Sequence, residues 1–167
     1  MSLIDYISFP KKIETPYSIT EDDYVVILDK KTATFDNCFK NPFVYELYVA
    51  SHPAMHYHIM DIVINPDKYS DEKEKKGKVR EIWNANWIWK QKNQYDIFHK
   101  ILSIGEFVEI YTVWLDDSDY NFSSPLSEYC MTLGDFLDMP MPENDVTSKD
   151  GHKLLENRHK LTIHKTK

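Results

Sequence analysis

The 167-residue sequence predicts a single α+β domain spanning residues 1–167, with an antiparallel or mixed sheet of about five to six strands. One longer and one short helix are expected on one face of that sheet. Several short runs rich in β-branched and aromatic residues read as strands, and one segment repeats apolar residues at helical spacing. The length suits one domain, and 42% hydrophobic residues supply enough apolar surface for one core.

The first part of the chain predicts three strands. Residues 24–29 form a continuous apolar run, which predicts a strand buried on both faces. Residues 43–49 alternate loosely and predict a second strand, with a short helix as the alternative. Residues 56–64 stop before Asn65-Pro66 and predict a third, because their β-branched density rises toward a proline. Residues 66–78 carry many charges without apolar periodicity, which predicts a solvated charged loop.

Three of the four tryptophans follow that loop. Read at period two, Trp83, Ala85, Trp87 and Trp89 lie on one face of a predicted strand. Each indole buries roughly 150–250 Å², so this face would either anchor the sheet against the helices or form a binding site. We favour the anchor.

Helical spacing dominates the segment after the tryptophans. Asn93 and Gly105 are the predicted N-cap and stop of a helix over 94–104. Its apolar face would be formed by Tyr95, Phe98, Ile101 and Leu102. Residues 107–115 then predict a central strand, because both of its faces are largely apolar.

The last part of the chain predicts the short helix and a final strand. Thr132 and Asp135 are spaced as in a capping box ahead of a helix over 133–139. Residues 128–131 fit either a strand or an earlier helical turn. After a polar connection at 140–151, residues 158–164 alternate and predict a basic edge strand, with Lys160 facing out.

The charge is uneven along the chain. The net charge is −7, from 27 acidic and 20 basic residues. Residues 149–167 carry +4, which leaves −11 for residues 1–148. Such a field favours basic partners and repels a phosphate backbone, so we expect no nucleic-acid partner.

Motifs for covalent chemistry or cofactor binding are absent from the sequence. It contains neither a nucleophile elbow nor a Walker loop nor a dinucleotide-binding glycine pattern. Cys38 and Cys130 are 92 positions apart, which argues against a thiolate zinc site, and both are predicted to be small buried residues. We therefore expect no cofactor and no enzymatic activity.

Metal binding is the strongest catalytic alternative. On a strand, His56 and His58 would share a face about 6.5–7 Å apart, with Asp61 and His52 nearby. This pattern fits a weak zinc, iron or nickel site. Carboxylates for acid–base chemistry are plentiful, but nothing in the sequence singles out a pair. They are Glu106, Glu109, Asp116, Asp117, Asp119, Asp135 and Asp138.

An acidic turn is the best candidate for a binding site. Carboxylates there would take the place of phosphates against lysines and arginines in a partner's cleft, with aromatic neighbours as anchors. The sequence thus predicts a small interaction protein that neutralises a basic partner, as an immunity protein or antitoxin does with a toxic nuclease. The candidate residues are Asp116, Asp117, Asp119, Tyr120 and Phe122.

Two alternatives to this function stay open. One is a metal-assisted hydrolase built on the histidine pattern, and the other is a mobile-element accessory protein acting as a homo-oligomer. The sequence has no basic n-region followed by an apolar segment and no run of about 18 apolar residues. We therefore expect a bacterial cytoplasmic protein without a membrane partner.

Overall fold

One mixed sheet organises the computed structural model, which describes residues 3–18, 25–29, 35, 38–50, 58, 60–62, 64–114, 125–141 and 159–167. Its six strands within these ranges are β1 (Leu3–Phe9), β2 (Val25–Asp29), β3 (Phe43–Val49), β4 (Phe107–Trp114), β5 (Ser127–Thr132) and β6 (His159–His164). Their order is β2-β3-β1-β4-β6-β5, and every neighbouring pair is antiparallel except the parallel β5 and β6. The mixed sheet and its helices confirm the predicted α+β class.

The described ranges also contain the helices α1 (Glu72–Ile101) and α2 (Leu133–Leu137), a 3₁₀ turn at Pro66–Lys68, and helical residues at 58, 60–62 and 64. The Asp71 side chain caps α1 by accepting from the Glu74 amide at 2.8 Å. At the other end, Lys165 Nζ donates to the carbonyls of His99 and Leu102 at 2.7 and 2.9 Å. A lysine here satisfies carbonyls that the helix itself leaves unbonded.

The apolar core lies between the helices and one face of the sheet. From α1 it receives Ile97, Phe98 and Ile101, and from α2 Leu133 and Phe136. The sheet contributes Ile7, Phe9, Val25, Ile27, Tyr45, Leu47, Val108, Ile110, Leu161 and Ile163. The rings of Phe98 and Phe136 are 5.9 Å apart, joining the two helices in this core. Both helices lie on one face, as predicted.

On the opposite face of the sheet, the described residues include a second buried cluster, which is largely aromatic. Tyr6, Tyr111 and Val113 are buried there against Cys38, with Phe35 and Phe39 packed on them. The ring of Phe35 lies 4.5 Å from that of Tyr6 and 5.3 Å from that of Phe39, with interplanar angles near edge-to-face. We call this side of the sheet the second face, and the other side the helix face.

The two halves of α1 differ in burial. A helix of 30 residues is about 45 Å long, whereas an eight-residue strand spans about 27 Å. Buried residues of α1 begin at Asn86, and none lies in Glu72–Ala85. Among the described helices, none is long and apolar enough to cross a membrane.

The tryptophan strand was predicted wrongly. Trp83, Trp87 and Trp89 belong to α1, which begins long before the predicted start at residue 94 and is capped by Asp71 instead of Asn93. The buried face of α1 includes Asn86, Lys90, Gln91 and Gln94. Because these side chains are polar, the buried face of the helix does not produce a hydrophobic period of 3.6 residues in the sequence. The alternation of the tryptophans at period two arises by chance.

Two neighbouring predictions were also wrong. His58, Met60–Ile62 and Ile64 are helical, so the predicted strand over 56–64 does not form at these positions. The predicted charged loop over 66–78 contains the 3₁₀ turn and the beginning of α1. Lysine and glutamate favour helices, and pairs such as Lys78 with Glu81 at 2.8 Å support one without any apolar face.

Three burial predictions also need correction. The last strand, β6, is interior because β5 pairs along its far side, so Lys160 is buried rather than facing solvent. Cys38 is buried as expected, but Cys130 is exposed on β5. β2 is an edge strand with Val25 and Ile27 buried and its alternate residues partly exposed. Sequence patterns report local alternation, whereas the order of strands depends on distant pairing.

Candidate functional site

A buried ion pair on the second face is the most unusual chemical feature of the described residues. Glu109 of β4 and Lys160 of β6 lie on neighbouring strands, and their side chains are 0% and 2% exposed. Lys160 Nζ donates to Glu109 Oε1 at 3.1 Å. Charges buried this deeply persist only where their partners offset the loss of water.

Hydrogen bonds occupy Glu109 on both of its oxygens. Oε1 accepts from Lys160 Nζ. Oε2 accepts from Ser8 Oγ at 2.9 Å and from the backbone amides of Lys40 and Asn41 at 2.8 and 3.0 Å. Four donors thus converge on this carboxylate, three of them on Oε2. Glu109 therefore fastens residues 40–41 to the sheet.

Lys160 is equally occupied. Its ammonium donates to the Cys38 carbonyl at 3.0 Å and contacts Glu128 Oε1 at 3.0 Å, besides Glu109. These three partners account for all three N–H donors. The cluster thus holds two carboxylates and one ammonium, and its residual negative charge lies toward Glu128, whose side chain is 49% exposed on β5.

Of the three other described carboxylates that the sequence raised for acid–base chemistry, Glu106 and Asp135 are engaged, whereas Asp138 is exposed at the C-cap of α2. The backbone amide of Ser103 donates to Glu106 and is the main cause of its lowered pKa, with Lys11 at 3.1 Å as a second donor. Asp135 accepts from the hydroxyl and amide of Thr132, and these bonds lower its pKa. This is the capping box of α2 that the sequence predicted.

The predicted metal site is not assembled among the described residues. His58 is exposed on a helical segment, while His52 and His56 lie outside the described residues. Asp61 binds Lys68 Nζ at 2.8 Å and Asn65 Nδ2 at 2.8 Å, and these hydrogen bonds lower its pKa. In the part of the chain that the structure describes, no three potential ligands form a group able to hold a metal.

A serine–histidine contact lies where β5 and β6 begin. Ser127 Oγ and His159 Nδ1 are in hydrogen-bond contact, and the Tyr129 ring stacks on His159 with centroids 6.1 Å apart. Ser127 and His159 are opposite each other in the parallel pairing of β5 with β6. A serine beside a histidine has the elements of a nucleophile and a base. Acyl transfer would also require hydrogen-bond donors that stabilise the developing oxyanion.

A groove of about 480 Å³ runs between the first half of α1 and the segment after α2. Its lining combines apolar and charged groups, namely Gly77, Arg80, Glu81, Asn84, Pro140 and Met141. Nearby, Trp87 Nε1 and Gln91 Nε2 donate to the Met139 carbonyl at 2.9 and 2.7 Å. These bonds fix the segment after α2, which forms one wall of the groove, to α1.

The predicted acidic site falls on residues that the structure does not describe. Asp116, Asp117, Asp119, Tyr120 and Phe122 all belong to residues 115–124. Their attachment points are described, since β4 ends at Trp114 and β5 begins at Ser127. Both points lie at the end of the sheet where β1, β2 and β6 begin. We call this the acidic end.

Glu109 and Lys160 acquire their role only in the folded chain. Each is the one Lys, Arg, Asp or Glu residue of its strand, and the rest of the Glu109 strand is largely apolar, which is a signal for burial of that carboxylate. Glu109 was considered as an acid–base candidate, and Lys160 as a solvent-facing lysine. Without the strand order, however, no pattern says that these residues, 51 positions apart, face each other.

No family model matches this chain, and neither the curated proteins nor the solved structures contain a significant match.

Proposed function

We propose that this chain is a small acidic interaction protein that binds and neutralises a basic partner protein, as an immunity protein or antitoxin does with a toxic nuclease. The observation that carries the proposal is the segregation of its negative charge. The contact would be made by Asp116, Asp117 and Asp119, with Tyr120 and Phe122 as neighbouring anchors.

Charge counts support this segregation. The described residues include 16 acidic and 15 basic side chains, whereas the whole chain has 27 and 20. Six of the seven excess negative charges therefore belong to the remaining segments. Two of these segments contain acidic runs, Glu21-Asp22-Asp23 and residues 116–119.

Sheet topology supports a shared location for the two runs. The first run precedes β2 at Val25, and the second follows β4 at Trp114. Val25 pairs with the last residue of β3, and Trp114 with the first residue of β1, so both attachment points lie at the acidic end. Three strand spacings, about 14 Å, separate β2 from β4. A partner's active cleft is wide enough to meet both runs at once.

Physical chemistry gives this arrangement a clear mode of action. A cluster of carboxylates raises the encounter rate with a cationic partner and places negative groups where its phosphate substrate would lie. Aromatic side chains beside the carboxylates supply the desolvated contacts that slow dissociation. Neutralisation would then follow from occupation of the cleft, without chemistry on either protein.

A capture experiment with matched charge variants tests the proposal. The wild-type chain is used to bind partners from native host lysate at low and at moderate salt, and bound proteins and metals are identified in the same sample. We expect a stoichiometric basic protein whose binding weakens with salt. The triple variant D116N/D117N/D119N should weaken its affinity at least about 100-fold.

The control removes the same number of charges elsewhere. Glu14, Asp67 and Asp96 are exposed, and the variant E14Q/D67N/D96N should stay within about threefold of wild type. Equal loss in both triple variants would reduce the effect to net charge and contradict a specific acidic site. Recovery of the chain without a protein partner but with one equivalent of transition metal would overturn the proposal in favour of the histidine site.

A further inference from the structure

The two edges of the sheet are protected differently. At the β2 edge, Tyr17 pairs with Ile27 through two backbone hydrogen bonds of 3.0 Å, so a second segment covers part of that strand. Along the outer side of β5, no strand pairs within the described part of the chain. An uncovered edge presents a row of backbone donors and acceptors to any extended segment that approaches.

β5 carries one charged residue, Glu128, but lacks the lysine and proline that usually protect an edge. Its sequence, Ser127-Glu128-Tyr129-Cys130-Met131-Thr132, contains neither lysine nor proline nor glycine. Successive residues of a strand face opposite sides, yet Glu128, Tyr129 and Cys130 are all exposed. Exposed apolar side chains flank the strand at Leu126, 66% exposed, and Leu137, 38% exposed.

The Asp, Glu, Lys and Arg residues of the segment that contains this edge strand are all acidic. Residues 125–141 hold three acids, Glu128, Asp135 and Asp138, and no lysine or arginine. Glu128 carries the residual negative charge of the buried cluster, since Lys160 is shared between two carboxylates. Half of its side chain remains exposed and can accept from a second cation.

We infer that the outer edge of β5 is the docking strand for the basic partner, which adds an extended segment bearing lysine or arginine to the sheet. This inference rests on the proposed function and names the element that would receive the partner. Backbone hydrogen bonds would provide the main affinity, and Tyr129 would provide an aromatic contact. Glu128, whose side chain is half exposed on this strand, would pair with a cation of the added segment.

Short synthetic peptides test this mode directly. The probe is a nine-residue peptide with lysine at every second position and valine or threonine between, titrated into the ¹⁵N-labelled full chain at low salt. We expect amide shifts concentrated in residues 127–132. Replacing the lysines by glutamates, or methylating alternate backbone nitrogens of the peptide, should each weaken binding at least about tenfold.

Two half-exposed tyrosines give a matched pair of protein variants. Tyr129 is 49% exposed on β5, and Tyr48 is 54% exposed on the interior strand β3. Tyr129→Lys places a protective lysine on the edge and should weaken peptide binding at least about tenfold, whereas Tyr48→Lys should stay within about twofold. Cys130→Lys provides a second edge variant if Tyr129→Lys loses the fold.

Several outcomes would overturn the inference. Shifts outside β5, equal binding of the N-methylated peptide, or equal loss in Tyr48→Lys would each exclude strand addition at this edge. A concentration-dependent dimer that Tyr129→Lys abolishes, without peptide binding, would assign the edge to a second copy. If a basic partner is captured from lysate but Tyr129→Lys and Cys130→Lys bind it as wild type does, the proposed function stands. The assignment of the β5 edge as the docking strand is then wrong.

Discussion

The two faces of the sheet each bury a neighbouring residue of β6, and different forces stabilise the two residues. Lys160 and Leu161 are consecutive residues of β6 and are 2% and 1% exposed, one on the second face and one on the helix face. Leu161 is stabilised by the apolar area it removes from water, whatever its exact neighbours. Lys160 is tolerated only because three acceptors surround its ammonium. Burial of Lys160 is therefore conditional on specific partners, whereas burial of Leu161 is not.

Removing the cation should give the largest effect. Lys160→Met keeps the length of the side chain but leaves Glu109 buried without its counter-charge. We expect the free energy of unfolding to fall by about 3–5 kcal/mol, as for other broken buried pairs. Urea denaturation followed by tryptophan fluorescence measures the loss.

Neutralising the partner distinguishes a buried charge from poor packing. The double variant K160M/E109Q removes both charges and keeps an oxygen that can accept from Ser8 and the amides of Lys40 and Asn41. It should recover at least half of the stability lost in K160M. No recovery would mean that the cluster acts by packing rather than by charge compensation.

The matched variant on the helix face should lose slightly less. Leu161→Ala removes buried methyl groups from the core and leaves a cavity, with an expected loss of about 2–5 kcal/mol. Combining it with Glu109→Gln should bring no recovery, because the leucine has no charged partner. A rescue by Glu109→Gln would contradict the assignment of these residues to separate faces.

A smaller effect is expected from the polar lining of the second face. Asn41 is 6% exposed, and its amide donates to the carbonyls of Ser8 and Phe107 at 3.3 and 2.9 Å. Asn41→Ala leaves these carbonyls without that donor and should lower stability by about 1–3 kcal/mol. Chemical denaturation again provides the measurement.

An exposed asparagine serves as the control. Asn65 donates to Asp61 Oδ1 at 2.8 Å but lies at the surface. Asn65→Ala should change stability by no more than about 0.5 kcal/mol. Equal losses at Asn41 and Asn65 would show that burial does not set the strength of the contact, and the contrast between the faces would fail.

Local signals determined the parts of the fold that depend on neighbouring residues. Residues 43–49 and 107–115 were predicted as strands because their apolar and β-branched residues favour extended backbone, and β3 and β4 confirm both. The capping box of Thr132 and Asp135 was predicted because it joins groups three residues apart. The excess of acid, and with it the proposed basic partner, also comes from the sequence alone.

Tertiary structure decided everything that depends on distant pairing. The buried face of α1 is half polar, and its Gln91 donates to the carbonyls of Phe136 in α2 and of Met139 after it, at 3.0 and 2.7 Å. Hydrophobic periodicity therefore could not reveal the helix around Trp87. The sequence pattern predicts that Lys160 is an exposed residue of an edge strand. It is buried because β5 pairs beside β6 and Glu109 lies opposite it. Hydrophobic patterns indicate which apolar side chains leave water when the chain folds. A buried polar group is stabilised instead by a partner that only the complete fold brings into contact.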